Sequence, residues 1–571
     1  MNLLSRFPFA LRLERKVRWL IFAGVFAVAL AFAAYTQHAW EDYYITYRVS
    51  KNLATGHGLV YTVGERVQAF TSPFNVLIPA ALSLVTGNRS DELVLWLFRL
   101  VSCALLAGAA VLLFDTARKN SFGWIPAVLL VGMFGLDGKI VDFSINGQEV
   151  AFMMFFLALA LHALTVRSGW TVWKLGLAGA GLMWTRPDGF IYLGAVALGF
   201  LLFNAGRSIG RSRLGLLKIL LGAGVLTVVL YLPWFLWAWH YYGSPIPHTI
   251  IAKGLLRNVS PMPPGSRLVD LLTFPFGMLL GATSADNTFL PTYALTLGGW
   301  HWIVTLYCKC VAYACALYWC LPFARPQARA VSFAFMLGHF YLSFVAPYPA
   351  PWYMPTCAIL AVFVFAHIVQ HGLSLALLLK DKDPWSSRLW ATGLRVLAAL
   401  VLSATLLLML CSAYQLRIRQ REIEEGLRKQ IGLWLRQNAA SPTDTVFLEP
   451  LGHIGYFSQL KMLDFPGLSA PEVVGAEKRL RSTSLAKIIL ELRPDWLVLR
   501  PGEEDRIQQA APLVLTELYS AVKTFDVSDR VSAYHWLPGR GYLAYDEKYS
   551  VFKRNPSQAA DQSRHSPAQR Q

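Results

Sequence analysis

Glu41 and Asp42 stand side by side in the run Trp40-Glu41-Asp42-Tyr43-Tyr44-Ile45-Thr46-Tyr47-Arg48, directly after the first long apolar stretch of the chain. A carboxylate where a helix leaves a bilayer is well placed to accept a proton from a hydroxyl. Asp42 is the candidate base, and Glu41 is a second candidate catalytic acid. More polar groups recur at the ends of apolar stretches: Asn146-Gly147-Gln148-Glu149, Thr185-Arg186-Pro187-Asp188-Gly189, the run from Tyr241 to Thr249, and Lys253. Cationic side chains stabilise a departing phosphate. Arg186 and Lys253 suit that role, with His248 and Arg48 as helpers; Glu149, Asp188 and Tyr242 complete the candidate binding set. An ionisable group at the centre of a membrane helix costs about 2.5–3.5 kcal/mol on insertion scales, so those that occur usually face a polar cavity.

Each residue also has a plainer reading. Asp42 and Glu41 could be charges that solvate a helix end. Glu149 opens an apolar stretch, where a carboxylate complements a helix N-terminus. Arg186-Pro187-Asp188 could be a turn closed by its own ion pair. His248 could be an ordinary loop histidine, and Lys253 an anchor that snorkels to the interface. Tyr242 belongs to a cluster with Trp234, Trp237, Trp239 and Tyr241 that suits an aromatic belt, with stacking on a sugar ring as a second use.

The elements that must position these groups are membrane spans. The chain is 55% hydrophobic, with mean hydropathy +0.42, more apolar than a soluble globular protein. Apolar runs long enough for a ~30 Å hydrocarbon core recur from the N-terminus to residue 414. The net charge of +18 is spread over short loops at alternating span ends, which fits the positive-inside rule and argues against nucleic-acid binding. Arg6, Arg12, Arg15, Lys16 and Arg18 precede the first span, placing the N-terminus in the cytoplasm and Asp42 outside. The two-proline segment at about 72–87 is expected to be an interfacial or re-entrant helix. Counting on gives about eleven spans and an outer C-terminus. Residues 1–414 form the expected membrane domain, with outer loops at 38–90 and 240–298.

Composition changes after residue 414. An amphipathic stretch, Leu416 to Leu435, precedes β-like runs at Thr445–Leu448, Trp496–Leu499 and Tyr549–Phe552. The fold class expected is therefore a polytopic α-helical membrane protein with a small C-terminal α/β domain, residues 415–555, on the outer face. The polar stretch 556–571 is expected to be disordered. The seven cysteines all fall in expected spans, without metal-site spacing, and no disulfide is expected.

One reaction fits carboxylates and cations at one membrane face: sugar transfer from a polyprenyl-phosphate donor. The lipid tail stays in the bilayer, and the phosphosugar lies at the surface. At these residues the chain resembles the GT-C superfamily of integral-membrane glycosyltransferases, and within it the branch of the terminal arabinofuranosyltransferases of the AftB type. The match runs through Glu41 to Arg48, Asn52-Leu53, Gly56-His57-Gly58-Leu59-Val60-Tyr61 and Gly64-Glu65-Arg66-Val67. It continues at Gly147 to Glu149, Thr185 to Gly189 and Tyr241 to Lys253, and more loosely at Gly452 to Ser458 with Asp464.

The resemblance implies a GT-C fold with a shared catalytic module in residues 1–255. It implies a decaprenyl- or undecaprenyl-phosphate donor, with arabinofuranose a plausible sugar, and Asp42 as base or acceptor-binding group. The acceptor would be an envelope glycan, a glycolipid or a protein at the periplasmic face of a bacterial inner membrane. Some relatives bind a divalent cation, which the acids here could hold. Glu41, Gln68 and His248 depart from the residues common in relatives, which leaves sugar, acceptor and stereochemistry open. A flippase for a lipid-linked sugar and a non-catalytic glycan-binding scaffold are the rival classes. Flippases often show repeated halves, and none is visible here.

Overall fold

The computed structural model describes residues 7–166, 168–204, 212–259, 288–290, 302–342, 350–379, 383–535, 537 and 540–556. The expected disordered tail beyond Pro556 and most of the 240–298 loop lie outside these residues. Contacts divide the chain into two units: 1–38, 71–240 and 262–417 in the first, and 39–70, 241–261 and 418–571 in the second.

The first unit is helical. It opens with α1 (Phe7–Thr36); α2 (Glu41–Ala54) belongs to the second unit. Then come α3 (Pro73–Val85), α4 (Asp91–Lys119), α5 (Trp124–Leu136), α6 (Gly138–Ile145), α7 (Val150–Thr165), α8 (Thr171–Thr185), α9 (Gly189–Leu202) and α10 (Arg213–Tyr242). After α11 (His248–Val259), in the second unit, the first resumes with α12 (Trp302–Leu317), α13 (Pro326–Phe340), α14 (Met354–Leu379) and α15 (Pro384–Arg419). α4 is the central helix and packs against α1, α3, α5, α6 and α7. α9 packs on α13 with Gly199 against the Ala330 backbone, where a Cβ has no room. Small residues allow such close approach between apolar helices.

Among the described residues, six helices are long and apolar enough to cross a membrane, or seven if the bent pair α5–α6 is one span. Three shorter apolar helices, α3, α7 and α9, add to these. The expected spans at 147–166, 173–185, 189–204 and 330–347 correspond to α7, α8, α9 and α13, helices of 16, 15, 14 and 15 residues, shorter than a full hydrocarbon crossing requires. The run expected as one span at 123–140 is two helices bent by 48°. Asp137 makes the break: its carboxylate accepts from Lys139 N at 2.8 Å and Ile140 N at 3.1 Å, capping α6. The polar turn before α7 likewise needs Gly147 at φ 93°. Asn75 on α3 ties that turn down, donating from Nδ2 to Gly147 O at 3.1 Å.

The second unit is α/β. The helix that ends α15 continues as a π-helical segment, Gln420–Arg428, and then as α16 (Lys429–Asn438). Beyond it lie β1 (Thr445–Leu448), α17 (Gly452–Ser458), β2 (Lys461–Asp464), α18 (Pro471–Leu480), α19 (Leu485–Leu492), β3 (Trp496–Leu499), α20 (Pro501–Ala510), β4 (Tyr519–Asp526) and β5 (Lys548–Arg554). The sheet order is β2-β1-β3-β5-β4. β1 pairs in parallel with β2 and β3, while β5 runs antiparallel to β3 and β4. β3 is buried along its whole length, as its Trp-Leu-Val-Leu sequence requires of a central strand. Phe447, Leu463, Val473, Ile488, Ile489, Leu497 and Phe552 form part of the core between sheet and helices. α2 packs on α17, and α11 packs on α18.

Candidate functional site

The candidate residues fall into two clusters, one in each unit. In the first unit, the C-terminus of α8 ends at Thr185 and leaves Arg186 in extended backbone (φ −156°, ψ 139°), since the following proline disfavours helix. Its side chain forms a fork on Asp188, with Nε to Oδ1 at 2.9 Å and Nη2 to Oδ2 at 3.2 Å. Nη1 reaches Glu149 Oε1 at 3.4 Å. The guanidinium lies over the Tyr353 ring, 3.7 Å from its centroid. Tyr341 donates to Asp188 Oδ2 at 3.5 Å. Glu149 stands at the N-cap of α7 but its side chain makes no capping bond there. It reaches Arg186 instead. The structure thus brings Glu149, Arg186 and Asp188 together. It adds Tyr341 and Tyr353, aromatic residues that sequence reading passed over because nothing in an apolar run marks them.

In the second unit, Glu41 and Asp42 form the first turn of α2. The Glu41 carboxylate accepts from Gly452 N at 2.6 Å through Oε1 and pairs with Arg428 through Oε2. Arg428 also meets Glu424 at 3.1 Å and Asp546 at 2.9 Å. Asp546 in turn pairs with Arg419 at 3.3 Å and Arg500 at 2.8 Å, and accepts from the Tyr549 hydroxyl at 2.8 Å. Burial pushes the Glu41 carboxyl up to about 7, against the pull of Arg428. Burial would also raise Asp546, but Arg428, Arg500 and Arg419 overcome it and hold that carboxyl well below the usual carboxylate range. Asp42 is half-buried, and its backbone carbonyl accepts from Thr46 Oγ1 at 3.2 Å.

The remaining candidates lie in this same unit. Arg48 is buried, and its guanidinium donates to three backbone carbonyls: Gly455 at 2.8 Å, Leu460 at 3.0 Å and Gln459 at 3.3 Å. It stacks on Tyr61 at 4.3 Å. That engagement braces the end of α17. The Tyr242 hydroxyl donates to Leu59 O at 2.6 Å. His248 opens α11; burial lowers its pKa, and the Gly467 backbone opposes that shift. Lys253 is half-buried on α11.

Glu41, Glu424 and His453 each place one ligand-type atom within 4.8 Å of the others, as a metal site requires. His453 is buried and held near 4, so its ring is neutral, the form that binds metals. Arg428, however, already lies on both carboxylates. A divalent cation there would meet the guanidinium's repulsion, so the set does not fit a resident metal. Sequence reading missed Glu424, Arg428 and Asp546. The i, i+4 spacing of Glu424 and Arg428 was the only local signal, and it reads equally well as a surface pair.

Three comparisons with known proteins follow from this architecture. A family model described as a domain of unknown function (DUF8728) matches residues 415–552. A terminal beta-(1->2)-arabinofuranosyltransferase from Corynebacterium glutamicum is 29% identical over 283 residues, which is 45% of this chain. The match spans 39% of that enzyme's length. Among solved structures, ArnT from Cupriavidus metallidurans bound to undecaprenyl phosphate superposes with TM-score 0.50 and 13% identity. It covers 94% of this chain and 98% of ArnT, and the apo form of ArnT gives the same TM-score at 14% identity. The chain therefore has an ArnT-like fold over nearly all its length, and it resembles the GT-C membrane glycosyltransferases on the side of the terminal arabinofuranosyltransferase branch.

Proposed function

We propose that the protein is a glycosyltransferase of a bacterial inner membrane. It moves one sugar from a polyprenyl-phosphate donor to an envelope glycan, glycolipid or protein acceptor at the periplasmic face, with arabinofuranose as the sugar. The observation that carries this reading is the coincidence of two similarities. The sequence resembles an enzyme named for arabinofuranosyl transfer, and the fold resembles one described with undecaprenyl phosphate bound. The carboxylates and cations described above supply the chemistry. Asp42 takes the proton of the acceptor hydroxyl as that oxygen attacks the anomeric carbon. The bond from that carbon to the phosphate oxygen breaks, and polyprenyl phosphate leaves with the electron pair. Arg186 and Lys253 meet the developing phosphate charge. Among the described residues, three of the five N–H donors of Arg186 are engaged, by Asp188 and Glu149. The C-terminal domain, residues 415–555, lies on the periplasmic side and contributes to acceptor binding.

The test is purified protein incubated with a panel of synthetic polyprenyl-phosphate sugars, with released polyprenyl phosphate as the readout. Wild type should turn over one donor, and Asp42→Asn should lower that rate by about 10²–10⁴-fold, the usual worth of a positioned general base. Donor binding without turnover by wild type would move the protein to the flippase or scaffold class.

A further inference from the structure

The domain that the family model of unknown function matches, residues 415–552, grips α2 at three places. At the N-terminal turn, Glu41 accepts from Gly452 N at 2.6 Å and pairs with Arg428, which Glu424 and Asp546 hold in turn. Gly452 is there because nothing larger fits: a Cβ would fall on the backbone oxygen and carbonyl carbon of Glu41. Along the middle, the Tyr44 ring lies 4.3 Å from that of His453, with Tyr456 at 5.2 Å and Phe457 at 5.5 Å. Further on, Arg48 donates to the carbonyls of Gly455, Gln459 and Leu460. Downstream of α2, the Tyr61 hydroxyl donates to Leu451 O at 3.2 Å. These contacts fix rotation, translation and tilt of α2 on α17. The segment that provides Glu424 and Arg428 is π-helical, a distortion frequent at functional sites.

We propose that this domain is the positioning element for the base: Glu41, Arg428 and Gly452 are positioning residues that fix where Asp42 is presented. The proposal rests on the reading of Asp42 as the base. Glu41 thereby changes role, from a second catalytic acid to the anchor of its neighbour. An error of about 1 Å in the placement of a reacting group can cost on the order of 10²-fold in rate. A domain held by a charge cluster to the catalytic turn is a means of avoiding that error.

The experiment uses full-length protein with three variants. Gly452→Ala inserts a methyl group against Glu41, and Arg428→Lys keeps the charge but loses the fork that reaches three carboxylates. Asp495→Asn is the control: Asp495 accepts from Thr445 and pairs with Arg554, between strands of the sheet. Hydrogen exchange across residues 41–54 and steady-state kinetics are measured together. Gly452→Ala should speed α2 exchange at least about tenfold and lower kcat on the order of 10²-fold with donor KM little changed. Arg428→Lys should give a smaller change in the same direction. Asp495→Asn should lower the melting temperature while leaving α2 exchange and kcat alone. Wild-type kcat in Gly452→Ala, or an equal fall in Asp495→Asn, overturns the proposal. If wild type turns over no donor, the reading of function fails separately. The exchange measurement then decides alone, and unchanged α2 exchange in both Gly452→Ala and Arg428→Lys rejects the grip.

Discussion

Arg186 and Arg428 are both buried arginines set among carboxylates, yet their surroundings differ in kind. Arg186 meets two carboxylates, Glu149 and Asp188, and rests on one aromatic face. Arg428 sits in a closed network of three arginines, Arg419, Arg428 and Arg500, with Glu41, Glu424, Glu449, Glu503 and Asp546. In the first cluster a ligand oxygen competes with only two carboxylates for one guanidinium. In the second, every charge answers another, and removing one strands the rest in a medium that solvates them poorly. The same residue type is thus suited to ligand chemistry in one unit and to holding structure in the other.

Breaking the closed network should have the largest effect. Arg428→Ala leaves Glu41, Glu424 and Asp546 without their shared cation, and the second unit should lose about 3–5 kcal/mol of stability, measured by denaturant unfolding or by yield of folded protein. Arg186→Ala leaves two carboxylates unpaired where Arg428→Ala leaves three, so it should cost less stability, while turnover falls by about 10²–10³-fold, the range for loss of one transition-state charge contact. A variant that folds poorly and retains its specific activity would erase the distinction between the two arginines.

Acid should separate the clusters further. The folded Asp546 carboxyl lies below its unfolded value, so its contribution is present at neutral pH. It is lost as pH falls below about 4, where the unfolded carboxyl begins to take up protons that the folded one refuses. Circular dichroism or hydrogen exchange between pH 6 and pH 3 should show the α/β unit loosening over that window. Asp546→Asn should already be destabilised at pH 6 and should vary less with pH.

The smallest expected change concerns Tyr353. Tyr353→Ala removes the ring beneath Arg186 and should cost about 0.5–2 kcal/mol in donor affinity, while Tyr353→Phe keeps the face and should stay within about threefold of wild type. Equal losses in the two variants would show that the hydroxyl, not the ring, is what Arg186 needs.

Much of this was legible along the chain. The strands at Thr445–Leu448 and Trp496–Leu499 coincide with β-like apolar runs, and the third run lies within β5. β2 and β4 were missed. β4 is largely exposed, and its mixed polar sequence carries no clear alternation. The turn that ends α8 at Thr185 was visible because proline following Arg186 disfavours helix. The kink at Asp137 was not, since a lone aspartate in an apolar run has the same sequence signature whether it caps a helix or lines a cavity.

The sequence by itself determined that the chain enters a membrane, that polar turns interrupt its apolar runs, and that an α/β domain follows. These are properties of composition and short-range periodicity, set by the cost of exposing apolar surface or burying backbone polar groups. Only the tertiary structure decided which charges meet. Glu41 and Arg428 are hundreds of positions apart in sequence, and Glu149 and Arg186 lie at the ends of different helices. The pairing of charges follows from folded geometry, in which burial makes each partner necessary to the other, and no local pattern records it.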